Sequence, residues 1–562
     1  MSEAEAKPEE KKTLLQTLAF FLERRSLVML GLGFASGLPY MLIFDTLSLW
    51  LRDSGLSLAV IGFFSLATLS FSFKFLWAPL IDRAKVPLLH GLLGHRRAWI
   101  LVFQTAMILG LLTISTLSPV SQLAALGAAA VAVGFATASH DIVIDAWRIE
   151  VADKEEQGPM VVAYQWGYRV AMIAAGAGPL LLAEKFGWNF SYAVMGVVTG
   201  IGVLATLWAP REAEHTVRPI PTGDVAQPKA LELLEWGLRL CVLLLGALCL
   251  GSGLSGDATL LSKLVGGEAL ADAWTAKPNG VWLQLVGVAV GLAIVVLAAW
   301  PIPKVRTKPG VYMSKAFGEP LGEFLTRFQG VAGLILAAIC VYRVSDFVLN
   351  IMNPFYRDMG FTLTEIAEIR KVFGIIASMI GVFLGGVVVA RLGLMKALII
   401  GAFSQPISNL LFALLAMSGH NLPMLFVSIC VDNIAGGIAG TALIAYMSSL
   451  TTAGFTATQY ALFSSLYALP GKLIASQSGR IVEGSALAAE AGGPLGLLKG
   501  LFTRLPPESF TAAGAKLGVS GPALAAGYTT FFIYTALIGV VAIVLSFMVA
   551  ARQKPAKEAA VA

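Results

Sequence analysis

The stretch Gly134-Phe-Ala-Thr-Ala-Ser-His-Asp-Ile-Val-Ile-Asp-Ala-Trp-Arg148 closes a long apolar run, yet carries four ionisable side chains. The run predicts a membrane-spanning helix. Asp141, Asp145 and Arg148 are spaced by four and three, so they share one face about 10 Å long. An ionised group at the bilayer centre costs roughly 3 kcal/mol or more, so the cluster must face protein, partner charges or a watery cavity. A low dielectric favours the neutral form of any carboxylic acid. A protonated Asp141 therefore crosses an occluded state without that cost, and it is the first candidate for proton coupling. The alternative is a permanent ion pair with a basic residue of a neighbouring helix. His140 is the second proton-coupling candidate, although it points about 100° away and need not share the proton. Asp145 and Arg148, nearer the helix end, are candidates for gating, with Asp145 pairing with Arg83 or with Arg148. Arg83 joins the gating set as that partner; Asp82 and Arg83 follow Pro79 at a helix end, where an ordinary terminus at the headgroups is the alternative.

A second polar set lies in the other half of the chain. Arg343 and Asp346 stand mid-span at i and i+3 and can meet on one face. They are either a self-neutralising pair or a fork from which a substrate carboxylate displaces Asp346. Further candidates for substrate binding are Arg169, Lys74, Lys472, Asp432, Asn433, Tyr168 and Tyr342. An aromatic face with a polar rim suits a sugar, although helix packing and the membrane belt use the same residues. Other chemistry lacks its residues. No Walker lysine, zinc-protease pattern, nucleophile elbow or cysteine–histidine set occurs. Cys241, Cys249, Cys340 and Cys430 all lie in apolar runs without metal or disulfide spacing. No catalytic residue, metal or organic cofactor is expected, and a proton gradient is the expected driving force.

These side chains need a membrane scaffold to position them. The 562 residues are 57% hydrophobic and 13% charged, with 58 glycines and a mean hydropathy of +0.77. That composition fits close-packed membrane helices. The net charge of +6 is scattered through short loops, which argues for topology rather than nucleic acid. No cleavage-site pattern marks a signal peptide, so the first span is expected to serve as the anchor. Apolar runs long enough to span fall near 26–50, 57–80, 98–118, 121–147, 160–183, 188–209, 231–253, 280–302, 330–355, 364–390, 393–417, 421–448, 457–480 and 527–550. Lys and Arg crowd the segments before the first, after the second and before the ninth run. Segments 118–121 and 418–422 carry none. The positive-inside rule then places both termini in the cytoplasm. Residues 11–25 and 311–328 mix basic and apolar residues and are expected to lie along the membrane surface.

A repeat organises the runs. Arg52-Asp-Ser-Gly55-Leu-Ser-Leu58-Ala-Val-Ile61 matches Arg357-Asp-Met-Gly360-Phe-Thr-Leu363-Thr-Glu-Ile366 at five of ten positions, at an offset of 305. Each copy follows a span, as expected for duplicated halves with a site between them. The expected fold class is an all-α integral membrane protein of two six-helix halves plus two extra linker helices, 14 spans in all. The domains are an N-terminus at 1–25, a first half at 26–210, a linker at 211–327, a second half at 328–551 and a tail at 552–562. A monomer in a lipid bilayer is expected.

The chain resembles the AmpG-type muropeptide permeases of the major facilitator superfamily. In the first half the matching stretches are Gly33-Phe-Ala-Ser-Gly-Leu-Pro39, Phe73-Lys-Phe-Leu-Trp-Ala-Pro-Leu-Ile-Asp-Arg83, Asp141-Ile-Val-Ile-Asp-Ala-Trp-Arg148 and Gly167-Tyr-Arg169. In the second they are Tyr342-Arg-Val-Ser-Asp346, Pro354-Phe-Tyr356 with Gly360-Phe-Thr-Leu-Thr-Glu-Ile366, and Phe455-Thr-Ala-Thr-Gln-Tyr-Ala-Leu-Phe-Ser-Ser465. The resemblance implies a major facilitator fold in the bacterial inner membrane. It also implies proton-driven uptake of GlcNAc-1,6-anhydro-MurNAc, with or without peptide, from periplasm to cytoplasm. It makes Asp82 and Arg83 part of the superfamily's loop motif, which latches the cytoplasmic side. The rival readings are a carrier of another bulky anion, such as a coenzyme A ester, and a membrane enzyme using the two aspartates as acid and base.

Overall fold

The computed structural model describes residues 20–54, 70–71, 74–152, 156–212, 222, 225, 227–255, 258–276, 280–303, 305–346, 351–362, 365–366, 368–475, 478–502, 505–506 and 509–559. Among them no β-strand occurs. The first half begins with α1 (Arg24–Met41), which runs through a π-turn at Leu42–Thr46 into α2 (Leu47–Asp53). Then come a 3-10 turn at Lys74–Leu76, α3 (Ala78–Arg83), α4 (His95–Thr116), α5 (Leu123–Val151), α6 (Gln157–Phe186), α7 (Trp188–Val198) and α8 (Ile201–Trp208). The linker supplies α9 (Lys229–Ser255), α10 (Glu268–Thr275), α11 (Gly280–Ala299) and α12 (Lys308–Arg327). The second half consists of α13 (Ala332–Val341), α14 (Met352–Asp358), a π-turn at Glu368–Phe373, α15 (Gly374–Leu392), α16 (Leu394–Ser418), α17 (Leu422–Ser449), α18 (Thr456–Ala475) and α22 (Gly521–Ala559). Between α18 and α22 lie the short helices α19 (Ser478–Ala491), α20 (Pro494–Gly500) and α21 (Thr511–Leu517). The stretch between the last two spanning runs is thus, in its described residues, a helical cap packed against the start of α22.

Ten helices are long and apolar enough to span, or eleven if the bent pair at Lys308–Arg327 and Ala332–Asp346 is one span. This count covers the described residues and is compatible with the fourteen expected. The second run lies largely outside the described residues, and α6 and α18 have the length but more polar faces. The amphipathic segment at 311–328 is α12. It turns 108° from the helix after it, as a surface helix must before its chain enters the membrane. Residues 11–19 of the other expected surface segment lie outside the described residues.

The repeat is visible in packing. Trp50 stacks on Trp188, 6.2 Å away, and packs against Tyr192. Phe355, 305 residues on, packs against Tyr528 and Phe532 at 5.0 and 4.8 Å. The aspartate of each repeat copy accepts a hydrogen bond from the same helix of its half: Asp53 from Trp188 Nε1 at 2.8 Å, and Asp358 from Tyr528 Oη at 2.6 Å. Gly360 needs its left-handed φ of 99° to make the turn. Gly55, its counterpart, lies outside the described residues.

Close helix contacts follow the small residues. Gly33 rests on the backbone of Tyr164, and Gly167 on the backbone of Leu30 and Phe34, so α1 and α6 touch without room for a Cβ at either. Two stretches singled out in the sequence, 33–39 and 167–169, therefore meet each other. Between the halves, Gly158 of α6 faces Gly386 of α15, whose own Cβ would run into Val162. Gly176 faces open space, and Gly436 and Gly440 face the central cavity rather than a neighbouring helix.

Candidate functional site

A cavity of about 110 Å³ lies where α6 of the first half meets the second half. Gln165 and Arg169 project from α6. Arg343 and Asp346 come from the turn after α13, Ser378 from α15, Gln405 and Asn409 from α16, and Asp432, Asn433 and Gly440 from α17. The sequence candidates Arg169, Arg343, Asp346, Asp432 and Asn433 are thus brought together. Arg343 Nε is hydrogen-bonded to Asp346 Oδ2, so the pair neutralises itself. Gly440 lets this guanidinium lie close, since a Cβ there would sit 3.2 Å from Nη1. Asp432 accepts a hydrogen bond from Ser408 Oγ at 3.0 Å. Asn433 is turned to its own helix and donates to Ile429 O at 2.9 Å. Arg169 has no carboxylate beside it among the described residues; its Nη1 lies 3.7 Å from Met172 Sδ.

Three buried acceptors on this wall, Asp346 Oδ1, Gln405 Oε1 and Asn409 Oδ1, receive no hydrogen bond from the described residues. A buried acceptor without a donor costs about 1–3 kcal/mol, so the wall is built for something that brings donors. Gln405, Asn409, Gln165 and Ser408 were missed from sequence. Their signal was present, as polar side chains inside spanning runs, but uncharged amides raise no alarm in an apolar count.

The first half presents a different surface. Asp141 is half-buried and accepts from Tyr164 Oη at 2.9 Å, with Lys74, Ser36 and Asp145 in its surroundings. Tyr40, Phe44, Phe71 and Tyr168 form a contiguous aromatic group with ring centroids 4.2–6.0 Å apart. Neither Asp141 nor Lys74 lines the central cavity. His140 is not brought to it either. Its Nδ1 lies 2.9 Å from Ser36 Oγ and its Nε2 3.1 Å from the Gln104 amide nitrogen, whose carbonyl accepts from Thr206. Gln104 donates to Nε2, which leaves the proton on Nδ1. Both ring nitrogens are thus engaged in the seam between α1, α4 and α5. Tyr342 is also a packing residue: it is buried, and its hydroxyl donates to Leu398 O at 2.7 Å. Lys472 lies on α18, with its side chain outside the described residues.

At the end carrying the basic loops, called the inner end below, the halves are fastened together. Asp82 is fully buried at the N-terminus of α18. It accepts from Ala457 N, Thr458 N and Thr458 Oγ1 at 3.1, 2.8 and 2.6 Å. An anion there meets the free N–H groups and positive dipole of the helix start. Arg96 closes the other side, bonding Asp82 at 2.7 Å and Glu150 at 2.6 Å. Asp82 is therefore no headgroup residue. Arg148 pairs with Asp145 at 3.2 Å and reaches Ser448 of the other half at 2.9 Å. Of the two partners open to Asp145, the structure holds Arg148.

Arg83 binds Glu319 of α12 at 3.1 Å instead. From the same helix Glu323 accepts from Thr452 at 2.9 Å and Gln459 at 2.7 Å. Thus α12 straps one half to the other. The acids of this strap were not singled out in the sequence, because a surface helix of alternating charge gives no sign of which charges are paired.

The sequence profile of the Major Facilitator Superfamily matches residues 29–474. The anhydromuropeptide permease of Escherichia coli (strain K12) is 30% identical over 471 residues, covering 83% of this chain and 76% of that one. The putative transporter AmpG 4 of Rickettsia felis is 28% identical over 455 residues, covering 80% of this chain and 88% of that one. Among solved structures, the proton:xylose symporter XylE with 6-bromo-6-deoxy-D-glucose aligns with a TM-score of 0.52 at 11% identity, over 93% of this chain and 94% of that one. At that identity the likeness concerns the fold alone.

Proposed function

Since the chain belongs to the major facilitator superfamily, and within it to the AmpG-type anhydromuropeptide permeases, it is a multi-pass membrane transporter, and we propose that it carries anhydromuropeptides from periplasm to cytoplasm with protons. The observation that carries this reading is the central wall: among the described residues, an Arg169 guanidinium with no carboxylate beside it and three buried acceptors that receive no donor. A sugar-peptide with carboxylates, hydroxyls and amide N–H groups supplies what each of these lacks. The aromatic group around Tyr40 and Tyr168 offers apolar faces for the sugar rings.

The cavity is contracted. A ligand of this size needs about 300–1,000 Å³, so entry requires the halves to part at the outer end while the inner fastening holds. Substrate then favours the closed-around state, the inner contacts of Asp82, Arg83 and Arg148 release, and the load leaves inward. Asp141 carries a proton in this cycle, and His140 keeps the packing of its seam. The membrane potential opposes entry of an anion by about 2.3 kcal/mol per net charge per 100 mV, so the substrate must travel with protons. Both termini then lie in the cytoplasm, and the membrane is the bacterial inner one.

The test is uptake of labelled GlcNAc-1,6-anhydro-MurNAc into proteoliposomes under an imposed inward proton gradient. The expected result is uptake of unaltered disaccharide, abolished by collapsing the gradient. Arg169→Ala should lose at least tenfold in apparent affinity, the loss of one charged hydrogen-bonded contact of about 1.5–3 kcal/mol. Absence of both uptake and exchange, or release of a chemically changed product, would overturn the reading.

A further inference from the structure

We propose that Asp432 takes up a proton together with the anionic substrate, so that its protonation sets the anion affinity of the central cavity. This inference rests on the substrate reading above and deepens it. Four ionisable side chains line the cavity: Arg169, Arg343, Asp346 and Asp432. Arg343 and Asp346 hold each other, which leaves Arg169 and Asp432 to respond to a ligand. With Asp432 ionised the lining carries two positive and two negative charges. With Asp432 protonated it carries one net positive charge, which a monoanion cancels. An uncompensated buried charge costs several kcal/mol, so proton and anion favour each other's entry.

The hydrogen bonds around Asp432 accommodate both forms. Ser408 Oγ lies 3.0 Å from Asp432 Oδ1 and 2.9 Å from Gln405 O, and its single proton can serve either. When Asp432 is ionised, Ser408 donates to it. When Asp432 is protonated, it donates to Ser408, whose own proton turns to Gln405 O. Neither form leaves a donor stranded. The charged and titratable groups around Asp432 are Asp346 and Arg343 from the turn after α13, Arg370 from the π-turn before α15, Tyr356 from α14 and Arg169 across the cavity on α6. Asp432 also stands ten residues into α17, whereas Asp141 stands eighteen into α5, a helix running the same way. The two acids therefore differ in depth by about 12 Å, with Asp432 nearer the outer end.

The experiment measures the affinity of full-length protein in detergent or nanodiscs for GlcNAc-1,6-anhydro-MurNAc, whose lactyl carboxylate is its one charge, as pH is lowered. Wild type should tighten by up to about tenfold per pH unit over the range in which one proton is linked to binding. Asp432→Asn should still bind but lose that slope, and Asp432→Glu should restore it with a displaced midpoint. An undiminished slope in Asp432→Asn overturns the inference. So does loss of binding in both variants when their melting profiles match wild type, because Asp432 would then be a direct ligand. A wild type that binds no disaccharide at any pH overturns the substrate reading itself, and the inference with it.

Discussion

Removing the Asp82 carboxylate would strand four donors: one guanidinium N–H of Arg96, the N–H groups of Ala457 and Thr458, and the Thr458 hydroxyl. Breaking a buried pair from one side typically costs about 3–5 kcal/mol. Asp82→Ala should therefore lower the melting temperature in detergent by several degrees, and Asp82→Asn by less, since the amide oxygen still accepts. A second residue-scale test concerns Glu490 in the outer cap. Lys499 and Ser520 hold its carboxyl down, from the ordinary 4.5 to about 2. A depressed acid stabilises the fold above its unfolded value and loses that contribution as pH falls toward the folded one. Glu490→Gln should thus make the cap more open to protease than wild type at neutral pH. The gap should narrow below pH 4.5 and vanish near 2.

At the scale of elements, the α1–α6 contact and the α12 strap make separate demands. Gly33→Leu or Gly167→Leu puts a side chain where backbone already lies, so either should prevent assembly of the first half. Gly176→Leu, which meets open space, should leave expression and melting unchanged. The strap predicts a change in populations. Glu319→Arg faces Arg83 with a like charge, and should raise labelling of a cysteine placed on the inner face of α18. Adding Arg83→Glu should restore protection. A half-exposed pair of this kind is worth about 1 kcal/mol, so a shift of a few-fold is expected. Labelling unchanged by Glu319→Arg would remove α12 from the closure.

For the whole molecule, the two ends are built differently. The inner end joins the halves through buried carboxylate and guanidinium contacts and through Gly158 against Gly386, whereas the middle holds the polar cavity. This division suits rocking about a central site. The linker pair α9 and α11 packs tightly on itself through Gly246, Gly253, Gly287 and Gly291, and touches the first half through Phe75, Leu76 and Trp77.

The sequence by itself determined the class, the duplication and the charges that matter. Apolar runs can only be spans, a repeat at fixed offset can only be two copies, and a charge inside a span must be answered by something. It thereby singled out Asp82, Arg148, Arg169, Arg343, Asp346 and Asp432 as charges needing an answer, and it left two partners open for Asp145. Only the tertiary structure decided who answers whom. It gave Arg83 to Glu319, Asp82 to the start of α18, His140 to a packing seam and Tyr342 to a carbonyl. It also placed Gln405, Asn409 and Ser408 on the cavity wall. The physical reason is range: insertion cost is local to a residue and readable from its neighbours in sequence. Pairing, by contrast, depends on which helix faces of two bundles come within about 3 Å of each other, and no periodicity records that.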